Sequence, residues 1–224
     1  ISSHAFEGCK SLANFEFPVS CTKINDYGFQ KCASLKEAIL PKVLKSLGDH
    51  AFEDCSSLQT VIAENFLDEI ETDVFMGCVS LQKIQLPNSV KRIGRNAFKG
   101  CTLLSDINWP ASLKTIEDAA FEKCQSLQSL NFANGLKSIG GDAFKGCSQI
   151  TTIDLPVTIK ELGGSAFQEC TACQTITIGS PAPPSISGDT FKKTNAVILI
   201  PKGSKQVYAI DKKWAKVNGV KENN

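Results

Sequence analysis

The chain has one methionine, two histidines, two tryptophans and two tyrosines among its 224 residues. Two histidines leave little material for a metal centre or a nucleophile–base pair. An excess of either charge is also missing. Lys and Arg number 24 against 23 Asp and Glu, a formal net charge of +1. No global field draws the chain toward nucleic acid or a membrane, so any electrostatic role has to be local. The longest obvious apolar run, Ala196 to Ile200, falls far short of the roughly 18 residues of a membrane helix. The residues at hand show no leader-peptide pattern, which says little for a chain expected to begin mid-repeat, and no N-x-S/T sequon. The phosphate-binding, dinucleotide-binding, serine-hydrolase and zinc-protease signatures are all absent. We therefore expect no catalytic residue, no cofactor and no metal site. Hydrophobic residues make up 42% and charged residues 21%, the balance of a folded chain.

What the chain has is repetition. Phe recurs at 6, 29, 52, 75, 98, 121, 144 and 167, always 23 residues apart. Cys recurs with the same period at 9, 32, 55, 78, 101, 124, 147 and 170. Aliphatic columns fill the positions between, for example Leu58, Leu81, Leu104 and Leu127, or Ile70, Ile93, Ile116 and Ile139. Ile1 fits that second column, so the chain is expected to begin mid-repeat and to lack an N-terminal cap. The pattern L-x-x-I-x-L ends in alternation, which predicts a short strand. Pro18, Pro41, Pro87, Pro110 and Pro156 follow it and stop it. Glu64, Ala133 and Gly179 replace that proline in other repeats. A 23-residue unit cannot bury its apolar face alone, and stacked units can. The expectation is a β-rich solenoid of eight repeats, roughly 35–40 Å long at ~4.8 Å per strand.

Ten cysteines would suggest disulfides in a short secreted chain. A column of them suggests otherwise. Stacked side chains point in parallel, whereas a disulfide needs facing Cβ vectors. The column is read as a ladder of small buried thiols. Cys173 sits in a leucine column, which makes the C-x-x-C with Cys170 core filling, and Cys21 likewise occupies an aliphatic column. His4 and His50 share a column two residues before the repeat Phe, alongside Tyr27, Asp73, Asn96, Ala119, Asp142 and Ser165. That column reads as a variable surface position.

The stretch LQKIQLPNSVKRIGRNAFKGC, residues 81 to 101, resembles the BspA-like, treponemal class of leucine-rich repeat, and the resemblance extends over about residues 1 to 192. It implies a right-handed superhelix closed by a C-terminal cap. The division expected is 1–179 for the solenoid and 180–224 for a last partial repeat and the cap. Within the cap, Val207, Tyr208, Ile210, Trp214 and Val217 have near-helical spacing, predicting an amphipathic helix. The resemblance also implies a bacterial cell-surface or secreted protein that adheres to host matrix proteins such as fibronectin or fibrinogen, or to partner cells.

Two surfaces are candidates for binding. Side chains beside the inward strand residues should face solvent. These include Glu37, Ile39, Thr60, Ile62, Lys83, Gln85, Asp106 and Asn108, with Ile39 and Ile62 as an apolar anchor. The competing reading is a merely solvated sheet. The second surface is a lysine column at Lys91, Lys114, Lys137 and Lys160, with Arg92 adding charge, a candidate track for anionic glycans. Its competing reading is a solvated repeat consensus. A third possibility for the whole chain is a structural spacer that presents a further N-terminal domain. Nucleic acid is not an expected partner, because the aromatics are not interleaved with the lysines.

Overall fold

A computed structural model describes residues 1–63 and 67–223. Glu64, one of the proline replacements, lies outside the described residues. The chain winds into a parallel β-solenoid of about nine turns. One line of strands runs through Glu37–Leu40, Thr60–Ala63, Lys83–Gln85 and Asp106–Ile107. It resumes at Ser129–Asn131 and continues through Thr152–Leu155, Thr175–Ile178, Val197–Ile200 and Val220–Glu222. Partners in the repeats sit 23 residues apart, as in Glu37 with Thr60 and Lys83 with Asp106. A second line of two-residue strands includes Glu69–Ile70, Arg92–Ile93, Thr115–Ile116, Ser138–Ile139 and Glu161–Leu162.

The third side of each turn is not extended. It is held by main-chain bonds, such as Phe98 N–H to the Ala120 carbonyl at 2.7 Å and Phe121 N–H to Ala143 at 2.7 Å. Two left-handed residues flank each Phe. One column contains Tyr27, His50, Asp73, Asn96, Ala119, Asp142 and Ser165, all with φ between 53° and 60°. The other contains Lys31, Asp54, Gly77, Gly100, Lys123, Gly146 and Glu169, with φ between 56° and 76°. The histidine column is therefore a backbone position. Small polar residues and Gly suit it because the αL region crowds Cβ in other residues. That replaces the reading of it as a variable surface position, and Asp73, Ala119 and Ser165 are buried there.

The core is a stack of columns. From Phe29 to Phe167 the rings are fully buried, with centroids 5.0–5.7 Å apart and planes within 14° of parallel. Each repeat Cys from Cys32 to Cys170 aims its thiol at the carbonyl of the Phe one turn back, at 3.1 Å in six turns and 3.3 Å at Cys170. All ten cysteines are free thiols. The glycine before the A-F pair serves close packing: a Cβ on Gly163 would lie 2.3 Å from the Gly141 nitrogen. Each proline after the first strand opens a tight turn. The Pro41 carbonyl takes the Leu44 N–H at 2.9 Å, and Pro156 takes that of Ile159 at 3.1 Å.

The C-terminal segment departs from the expected single helix. An α-helix covers Lys205–Ile210 and stops at Asp211, whose carboxylate accepts the N–H groups of Lys213 and Trp214 and starts a separate 3-10 turn, Trp214–Lys216. Only Tyr208 and Trp214 of the expected apolar stripe are buried; Val207 and Ile210 are exposed. Tyr208 donates to the Ser180 carbonyl and Trp214 to that of Pro184, pinning the segment beside Phe191. The chain then adds one more parallel strand, Val220–Glu222.

Candidate interaction surface

In a strand flanked by inward residues 0–3% exposed, such as Ala38, Leu40, Val61 and Ala63, the alternate side chains have to point out. Glu37, Ile39, Thr60, Ile62, Lys83, Gln85 and Asp106 do so in register, with Ile39 directly beside Ile62. Ile39 is 58% exposed. The patch around it is larger than the two isoleucines. Phe17, Val19, Pro41 and Val43 join Ile39 and Ile62 in an apolar groove of about 460 Å³, and Val19 is 90% exposed. A second groove of about 480 Å³ continues along Phe15, Glu16, Phe17, Glu37 and Ile39, giving the patch an acidic edge. Val19 and Val43 were missed in the sequence because they stand in turns after proline, outside the strand columns. The signal was there: a β-branched apolar residue in a solvated turn needs a reason.

The other end of the candidate face is occupied with itself. Lys83 pairs with Asp106 at 2.9 Å. The Asn108 amide clasps the Leu86 backbone, accepting its N–H at 2.7 Å and donating to its carbonyl at 2.8 Å. Among the described residues no strand pairing joins Asp106–Ile107 to Ser129–Asn131, and Ile107 is half-buried where Ile84 and Leu130 are sealed. Trp109 and Phe132 explain the break. They are the two adjacent aromatics of a column that holds Phe17 in the first turn and Leu, Ala or Ile in the others, and they meet edge to face at 4.7 Å, which demands more room than an aliphatic stack.

The lysine column is exposed as expected, but its charge is uneven. Lys91 pairs with Asp68 at 3.3 Å. Arg92 adds no free charge: Glu69 and Glu71 from the turn before and Glu117 from the turn after surround its guanidinium. Lys114, Lys137 and Lys160 have no carboxylate partner among the described residues.

His4 and His50 sandwich Tyr27, with ring centroids 4.7 and 4.6 Å away. The His50 ring also meets Glu53 at 2.8 Å and Asp73 at 3.7 Å. Among the described residues no three of His, Cys, Asp and Glu are grouped to hold a metal. Burial pushes the Cys32 and Cys173 thiols up to about 11 and Cys170 to about 12, and raises those of Cys55 to Cys147 further. These are protonated donors, poorly suited to nucleophilic work. No described helix is long and apolar enough to cross a membrane.

Stacked parallel turns with an outward strand face define a leucine-rich repeat solenoid, a class of protein-binding scaffolds. The chain belongs to the BspA-type family: the model described as "BspA type Leucine rich repeat region (6 copies)" matches residues 1–105 and 91–213. A leucine-rich repeat protein of T. pallidum is 27% identical, over 66% of this chain and 80% of that one, with a TM-score of 0.53. A Bacteroides ovatus leucine-rich repeat protein, 18% identical, shares the fold over 99% of this chain and 77% of its own, at a TM-score of 0.66. A leucine-rich cell surface protein of Faecalibacterium prausnitzii is 25% identical, over 78% of this chain and 62% of its own, at 0.51. No curated protein matches the sequence.

Proposed function

We propose that this chain is a non-catalytic interaction module, displayed at a bacterial cell surface or secreted, that adheres to host matrix proteins or partner cells through its strand face. The observation carrying this reading is the exposed apolar groove of Phe17, Val19, Ile39, Val43 and Ile62, rimmed by Glu16 and Glu37. A contiguous apolar patch with a polar rim is the anatomy of a protein-binding site. Ile39 and Ile62 stand on paired strands, so a partner need not order that part of the backbone. The description of the Faecalibacterium relative as a cell surface protein supports the location. The test is binding of the purified chain to immobilised fibronectin, fibrinogen and laminin at physiological salt. Saturable, salt-resistant binding to one of them supports adhesion. No binding to any of them favours a spacer that holds another domain away from the surface.

A further inference from the structure

The corner between the two strand lines carries a row of exposed lysines whose backbone positions are fixed turn on turn by the main chain. Lys114, Lys137 and Lys160 occupy one position in consecutive turns. The Lys137 N–H donates to the Lys114 carbonyl and the Lys160 N–H to that of Lys137, each at 2.8 Å. One charge per turn at ~4.8 Å is the spacing that neighbouring strands impose. Like charges at that distance repel, and none of the three is relieved by an ion pair among the described residues. The contrast is local: one turn earlier, Lys91 has Asp68 and Arg92 has three glutamates. Beside the row lie the hydroxyls of Thr115 and Ser138, 3.3 Å apart, and Gly135, whose missing side chain leaves room for the Lys114 ammonium.

We infer that Lys114, Lys137 and Lys160 form a binding track for a linear sulfated polysaccharide. A row of cations at fixed spacing is matched by anions repeated along one polymer, and sulfate stays ionised throughout the physiological range. Thr115 and Ser138, next in sequence to Lys114 and Lys137, line a groove with Glu117, Asp118 and Glu161, so the anionic groups of the polymer are held from the lysine side of the corner. The track lacks an exposed aromatic platform for stacking bases, which disfavours single-stranded nucleic acid. It also lacks the sealed apolar centre of a protein hot spot. Glu161, next to Lys160, weakens the far end and places the strongest contact at Lys114 and Lys137. The inference goes beyond the protein-binding reading and does not depend on the strand face.

The test is binding to immobilised heparin across a salt series. The substituted chain is K114Q/K137Q/K160Q, with the single Lys137→Gln as a milder change. The control is K23Q/K36Q/K212Q, which removes the same charge from exposed lysines elsewhere. The expected result is affinity about ten- to a hundredfold weaker in the track variant. Its log–log salt slope should be shallower by roughly two to three, while the control binds as the parent does. Lys137→Gln should fall between. Equal losses in track and control variants would overturn the inference, as would no binding by the parent at physiological salt. Tighter binding to inorganic polyphosphate than to heparin would overturn the assignment to a glycan.

Discussion

At the residue scale, the repeat Cys is there for its proton as much as for its size. The Phe75 carbonyl accepts both the Cys78 N–H at 3.2 Å and the Cys101 thiol at 3.1 Å, so alanine at 101 would fit the column and remove the second of two donors. The raised thiol pKa makes this testable by pH. The unfolded chain releases these protons near the ordinary thiol value of 9.0, while the folded chain holds them to about 11 or above. The folded state then binds more protons, so stability falls as pH rises through that window. Each thiol contributes at most about 1.4 kcal/mol per pH unit. The urea midpoint should drop steeply between pH 8 and pH 10.5, and an unchanged midpoint would contradict the ladder. In the native state a thiol-alkylating reagent should label exposed Cys9 and leave Cys55 to Cys147 unmodified, as intact-mass analysis can check. Phe98→Ala, which cuts a fully buried ring from the stack, should cost roughly 3–5 kcal/mol. Gln125→Ala on the surface should stay within ~0.5 kcal/mol.

At the scale of the element, the Phe, Cys, Leu and Ile columns were legible because an unbroken period makes each residue stack on its own kind. What the pattern did not reveal depends on backbone conformation or on side chains from other turns. The left-handed flanks of each A-F pair were invisible to a reading based on apolarity, since Lys31, Lys123 and Ala119 tolerate a geometry that Gly77 and Gly100 suit better. It follows that Gly100→Ala should lose about 1 kcal/mol, through αL strain and not through contact, because a Cβ there meets nothing closer than 4.0 Å. Lys123→Gly should gain about 0.5–1 kcal/mol, the strain relieved less the entropy of glycine. Equal and opposite midpoints are not needed, but the signs are. Asn108 misled in a different way. It looked like one more outward polar residue, whereas its amide substitutes for a strand against Leu86. The terminal helix misled through near-helical spacing that Asp211 interrupts.

For the whole molecule, the sequence carried the architecture and half of the candidate surface. Ile39 and Ile62 were found by alternation, but the groove they belong to needed Val19 and Val43 from turns. Arg92 was misread as free charge because its three glutamates are 21 to 25 residues away, adjacent only once the turns stack. The molecule presents two chemically different surfaces, an apolar groove near one end of the strand face and a cationic corner farther along, and each is proposed here for its own kind of partner. The claim that ties fold to function is that the groove, not chemistry at a catalytic site, is where a protein partner docks. Replacing Ile39 and Ile62 with Asp puts two charges into that groove without disturbing the core, since neither side chain is buried. The deciding measurement is the Kd of I39D/I62D and of the parent chain for whichever matrix protein the parent binds. A loss of about a hundredfold, with the melting temperature held, is the expected result. Equal affinity of the two chains would contradict the account and move the binding site elsewhere on the solenoid.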